Sequence, residues 1–189
     1  MSEKLDRSAS ERGDRTRFPH IAERFLPDER VCRPVALFDT YVAALQRDRT
    51  DLPADTRLVG VVRRPTRWFN AAVDENRPTL APPGDLLDEH AEAAEAFRMD
   101  GLCAEGAHNA AWDRVEFDRR YRDHLATDAD AGDAVRVLRA ELAAGDDVAV
   151  VCFENTDKKR CHRTVLRDVI EREAAVGADP DDDTANGDH

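Results

Sequence analysis

Two thiols, an imidazole and a cluster of cations crowd into one short stretch of the chain, Cys152 to Arg163. It carries Cys152, Glu154, Lys158, Lys159, Arg160, Cys161, His162 and Arg163. A thiolate is a nucleophile and a redox group, an imidazole moves protons near neutral pH, and a guanidinium fork matches phosphate or carboxylate. Two of the chain's three lysines, Lys158 and Lys159, lie here. From Asp157 to Arg163 four basic residues face one acidic residue, in a chain of formal net charge −12. A positive island in so acidic a chain needs a local reason, and an anionic ligand supplies one.

The elements around this stretch would position it. Val148 to Phe153 is a continuous apolar run after the turn signal Gly145-Asp146-Asp147, as expected of a strand buried on both faces. From His162 to Ala175, the residues Val165, Leu166, Val169 and Ile170 form a helical apolar stripe. A strand, a polar loop and a helix therefore follow one another. The helix N-terminus offers unpaired N–H groups and about half a positive charge. With basic side chains beside it, such an end makes an anion site and favours a thiolate at Cys161. In an open α/β sheet this loop lies beyond the carboxyl end of its strand, where ligands bind. A second apolar run, Leu58 to Val62, stops at Arg63-Arg64-Pro65. If the two strands are parallel neighbours, Arg63 faces the same cleft.

Other segments complete the alternation. Val35 to Val42 reads as a strand or strand edge. Ala91 to Phe97 reads as helical, beginning near Asp85 after Pro82-Pro83-Gly84. In Trp112 to Leu125 the residues Phe117, Tyr121 and Leu125 share a helical face, and in Gly132 to Ala144 the stripe is Val135, Leu138 and Leu142. Ala71 to Pro83 is loop-like and could lie over the site. The pattern predicts one α/β domain, Rossmann-like, with a mostly parallel sheet flanked by helices. It is expected to span 17–176, between a disordered N-terminal segment 1–16 and a disordered acidic tail 177–189 that holds five Asp and no Lys or Arg.

Each candidate has a plain structural alternative. Cys161 is either an activated thiol or a small residue packed under the loop. Cys152 sits in an apolar run and reads as a buried, inert thiol, with a place in the cleft as the alternative. His162, next to Cys161, would point about 100° away from it around a helix, so it is either a proton carrier or a surface residue. Arg163, Arg63 and Lys158 are the candidate anion contacts, with salt bridges to Asp or Glu as the competing use. Glu154 could act as an acid–base group or pair with Arg163. Asn109 reads as a helix cap, and His108 and Asn109 are both candidate cleft residues. Trp68-Phe69 could stack a base or anchor a loop. A metal site would need Cys152, Cys161, His162 and a fourth donor such as His108, Cys103 or Glu154. The spacing is not that of a zinc knuckle and no C-x-x-C occurs. No metal and no cofactor are assigned.

Composition sets the class. The 28 basic residues are 25 Arg and 3 Lys, and the 40 acidic residues are 26 Asp and 14 Glu. A mean field of that sign opposes general binding to polyanions. Scarce Lys and abundant Asp fit a halophilic protein, because short carboxylates hold water and cations while Lys stems expose methylenes. No apolar run is long enough to span a membrane, so no membrane partner is expected. The N-terminus lacks the apolar stretch of a signal peptide. The expected location is cytoplasmic, with the four cysteines as thiols.

The motif Cys152-x-Glu154-x6-Cys161-His162-Arg163 resembles the C-terminal signature of the family called domain of unknown function 488. Leu58-Val-Gly-Val-Val-Arg63-x-Pro65 is similar to the family's earlier strand, with Gly60 where the family typically has aspartate and an additional Val62 before Arg63. Asn109-Ala-Ala-Trp112 with Phe117 and Tyr121 resembles its middle helix. The resemblance spans roughly residues 35–172. It implies a Rossmann-like domain with cysteines suspected of function, and suspected site residues at Cys152, Glu154, Cys161, His162, Arg163 and Arg63. The Cys-x5-Arg loop of phosphatases and sulfurtransferases is not present. The best expectation is a cysteine-dependent enzyme, with Cys161 as the thiol and His162 or Glu154 as proton carrier. It would bind a small anionic, phosphate-containing substrate at the strand ends. The alternatives are a non-catalytic module for nucleotide or nucleic acid, and a thiol redox or metal sensor.

Overall fold

The computed structural model describes residues 36–155 and 157–176. The expected disordered ends, Val35 and Cys32 lie outside the described residues. Four strands form one sheet: β1 (Leu37–Tyr41), β2 (Arg57–Gly60), β3 (Glu75–Asn76) and β4 (Val148–Cys152). Their order is β1-β4-β2-β3 and every pairing is parallel. Tyr41 lies opposite Cys152 and Gly60 opposite Val151. The carboxyl ends of the three longer strands therefore share one edge. The last strand in the chain occupies the inner slot between the first two.

All five residues of β4 are buried. Successive strand side chains point to opposite faces, so both faces of the sheet are covered there. This explains the unbroken apolar run, and the domain is α/β, compatible with a Rossmann-like plan. Seven helices are described: α1 (Val42–Leu45), α2 (Arg67–Asn70), α3 (Gly84–Met99), α4 (Ala104–Arg114), α5 (Phe117–Thr127), α6 (Ala129–Ala143) and α7 (His162–Val176). Helix α7 packs on β1 and β4, α5 packs on α6 and α7, and α3 pairs with α4. The expected stripes face inward, with Tyr121, Leu138 and Leu166 fully buried. Each such apolar side chain contributes about 1.5–3 kcal/mol. No described helix is long and apolar enough to cross a membrane.

Three local expectations change. β1 ends at Tyr41 and Val42 opens α1 instead of closing the strand. The helix expected over Trp112 to Leu125 is two helices, because Glu116 takes a left-handed conformation at φ 51°. Trp112 and Phe117 stack across that break at 4.0 Å, so the apolar phase continues although the helix does not. Asn109 caps nothing. Helix α4 begins five residues earlier, with Cys103 Sγ accepting from the Gly106 amide at 3.4 Å. The segment Ala71 to Pro83 contains β3 and a 3-10 turn, Pro78–Leu80.

Glycine is required by geometry at Gly145 and Gly60, which bear on the site. Gly145, at φ 102°, turns the chain from α6 toward β4. At Gly60 an added Cβ would lie 2.6 Å from the Phe69 ring and 2.7 Å from Asn76 Oδ1. That close packing explains why no aspartate could stand at this position in this chain.

Candidate functional site

The site is built where β4 stops. Cys152 is the last residue of that buried strand, and Cys161 immediately precedes α7. The loop between them is fastened by α4. Asn109 Nδ2 donates to the Lys158 carbonyl at 2.9 Å, and its Oδ1 accepts from the Arg160 amide at 3.1 Å. His108 Nε2 donates to the Arg160 carbonyl at 2.9 Å, and His90 Nε2 donates to the His108 carbonyl at 3.1 Å. Lys159 pairs with Glu154 at 3.1 Å, and Arg160 pairs with Asp113.

This fastening brings both sulfurs to one imidazole. Cys152 Sγ and Cys161 Sγ each lie 3.9 Å from His162 Nδ1, and the three atoms fall within 4.8 Å of one another. Both cysteines are buried at 4% exposure. His162 Nε2 lies 2.8 Å from the Val61 carbonyl. A carbonyl only accepts, so Nε2 carries a proton, and Nδ1 is the ring nitrogen that faces the sulfurs. The Val61 carbonyl is itself placed by its ladder, since the Val61 amide donates to Val151 at 3.0 Å. The Tyr121 ring meets His162 edge-on at 5.7 Å, and its hydroxyl donates to the Leu80 carbonyl. Burial holds that phenol well above its ordinary value.

The two thiols are not equivalent. The neighbouring Cys161 thiol lowers Cys152 below the ordinary thiol value against the opposing effect of burial. The backbone amides of Glu154 and Phe153 and the Arg163 charge act in the same direction. The neighbouring Cys152, together with burial, pushes Cys161 well above its ordinary value. Of the two sulfurs, Cys152 is thus held below the ordinary thiol value and Cys161 above it. The helical offset that would separate His162 from Cys161 does not operate, because Cys161 lies just before the first helical residue.

A cavity of about 360 Å³ opens on the cluster. Cys152, Cys161, His162, Glu154, His108 and Arg63 all line it, together with Arg64, Arg160, Asp88 and His90. The segments after β2 and β4 do face one cleft. Three expected residues lie elsewhere. Lys158 and Asn109 line a neighbouring cavity of about 750 Å³ that also touches Cys161. Arg163 is buried at 1% exposure and lines neither cavity. Its Nε donates to Asp39 at 3.0 Å, one guanidinium nitrogen donates to the Glu154 carbonyl, and that nitrogen is 4.0 Å from Cys161 Sγ. Arg163 fastens the loop to β1 and is closed to an anion in the cleft. Glu154 gives its carboxylate to Lys159 and only its carbonyl to Arg163. Arg63 donates to the Pro82 and Ala81 carbonyls at 2.6 and 3.2 Å. Arg64, on the cavity lining and exposed, pairs with no carboxylate among the described residues.

Spacing alone had left out His90 and Arg64. The signal for His90 was present: it falls four residues after Leu86 and three before Ala93, both buried on α3. That register turns it inward, against His108 at 4.6 Å and Phe117 at 5.5 Å. Burial holds His90 below the ordinary histidine value. As for a metal, the two sulfurs and His162 fall one donor short of a closed four-coordinate zinc site.

Among known families, the profile described as DUF488-N3a, the active DUF488-N3 subclade, matches residues 40–174. No curated protein and no solved structure gives a significant match.

Proposed function

The chain belongs to the DUF488 family, and from that premise and the meeting of two thiols with one imidazole we propose that the protein is a cysteine-dependent enzyme. Its substrate is a small anionic molecule bound in the cavity at the strand ends. The observation that carries this reading is the placement of Cys152 Sγ and Cys161 Sγ, each 3.9 Å from His162 Nδ1, on the lining of that cavity. Inert core thiols would need no oriented imidazole between them.

Cys152 is the nucleophile. The neighbouring Cys161 thiol stabilises the attacking charge, and His162 Nδ1 is the proton acceptor, held in its tautomer by the Val61 carbonyl. The proton role falls to His162 because the Glu154 carboxylate is committed to Lys159. Arg64 takes over from Arg163 as the cation best placed for an anionic group, beside Arg63. One part of the wall, with Trp112, Phe117 and Phe153, is apolar, as small-molecule sites largely are.

Alkylation of the full chain carrying Cys32→Ser and Cys103→Ser tests this, followed as rate against pH. The rate is expected to inflect below the ordinary thiol value of about 8.5. Because the neighbouring Cys161 thiol lowers Cys152, Cys161→Ala is expected to move the inflection upward. An inflection at or above the ordinary value, unmoved by Cys161→Ala, would overturn the assignment of Cys152 as the nucleophile.

A further inference from the structure

We propose that Cys152 and Cys161 are a dithiol–disulfide couple and that the cavity accepts a small disulfide, which the protein reduces to two thiols. This rests on Cys152 being the reactive sulfur and adds a task for the second thiol. The sulfurs are held by different elements, one at the end of β4 and one at the mouth of α7, yet lie within 4.8 Å of each other. A disulfide bond of about 2.05 Å is reached by closing that gap. Both cysteines line the same cavity, so a group joined to Cys152 would sit within reach of Cys161. One ring nitrogen, His162 Nδ1, faces both sulfurs at the same 3.9 Å.

The unlike environments of the two thiols suit a sequence of two attacks. An attacking sulfur must be available as thiolate, while a resolving sulfur can wait protonated until a base relieves it. In the first step the Cys152 thiolate attacks one sulfur of the bound disulfide. The Cys152 S–S bond forms, the substrate S–S bond breaks, and one substrate half leaves as thiolate. In the second step Cys161 Sγ attacks Cys152 Sγ and gives its proton to His162 Nδ1. The Cys152–Cys161 bond forms and the second half leaves, taking that proton to become a thiol. The dithiol loses two electrons and the small disulfide gains them. Loop fastening by Asn109 and His108 keeps the two sulfurs facing through both steps.

Equimolar 5,5′-dithiobis(2-nitrobenzoate), a small anionic disulfide, is the probe, added to the reduced full chain with Cys32→Ser and Cys103→Ser. Two aryl thiolates released per protein, no retained adduct by intact mass, and a mapped Cys152–Cys161 disulfide are expected. Cys161→Ser is expected to stop at one released thiolate with the aryl group held on Cys152. Cys152→Ser is expected to slow the reaction by about tenfold or more. A protein with both cysteines that releases one thiolate and keeps its adduct overturns the couple, while leaving Cys152 as the reactive sulfur. Cys152→Ser reacting as fast as its parent overturns the assignment of Cys152 itself. The parent protein alone decides the first question, so it does not depend on either variant folding.

Discussion

Gly60 is where one added carbon would be felt furthest. Its absent side chain lets Phe69 and Asn76 close over the end of β2. Asn76 then clamps Val62, accepting from its amide at 3.1 Å and donating to its carbonyl at 2.8 Å. One residue earlier, the Val61 carbonyl receives His162 Nε2. Gly60→Ala is expected to cost about 1–3 kcal/mol by overpacking, read as a lower urea midpoint, and to slow Cys152 alkylation as the Val61 carbonyl shifts. An unchanged midpoint would show that Phe69 and Asn76 give way freely. At this scale the chemistry was legible because residue types carry it: thiols, an imidazole and guanidiniums in one stretch name a site. Which sulfur takes the charge was not legible. It depends on hydrogen bonds between residues whose facing is set by the loop. Nor was the burial of Arg163, whose partner Asp39 lies 124 residues earlier in the chain.

The elements were legible to the extent that burial writes itself into runs and stripes. β4 reads as a strand because both its faces are covered, and Phe117, Tyr121 and Leu125 read as one face because all three are buried. The break at Glu116 left no such mark, since Trp112 stacks on Phe117 across it. Asn109 shows the same limit. Its type suggested a cap, yet it lies within α4 and serves the loop before α7. Asn109→Ala removes two loop bonds and leaves α4 with a better helix former at that position. The substitution is expected to cost about 1–3 kcal/mol, and to speed hydrogen exchange at the Arg160 amide, which donates to Asn109 Oδ1. Exchange at the original rate would mean that His108, Arg160 and Arg163 hold the loop without Asn109. Helix α4 is thus a support for the site as well as a core element, and its two adjacent residues His108 and Asn109 are its points of purchase.

For the whole molecule the decisive quantity is charge. A surplus of 12 negative charges repels itself, while ion pairs such as Arg77–Glu141 at 2.7 Å and Arg122–Asp168 at 2.7 Å oppose that repulsion. Although burial works against it, Glu141 is held below the ordinary carboxylate value by Arg77 and Arg57. A carboxyl depressed in the folded state stabilises fully above its ordinary value and loses that contribution as pH falls through its folded value. His90, depressed by burial, acts in the same sense: the unfolded chain takes up its proton first, so stability declines as pH drops below about 6.5. Acid therefore weakens the fold through these groups even as it lowers the net charge. Salt at neutral pH sets the two electrostatic effects against each other. Exposed pairs contribute about 0–1 kcal/mol each and are screened with little loss. The surplus acts at longer range and is screened more completely, with a Debye length of about 3 Å in 1 M salt against about 10 Å in 0.1 M. The melting temperature at pH 7 is accordingly expected to rise when KCl goes from about 0.1 M to about 1 M. The gain should shrink at a pH where protonation brings the net charge near zero. A melting temperature that falls with KCl at neutral pH would mean that the ion pairs outweigh the surplus, and that the acidic composition is no adaptation to salt.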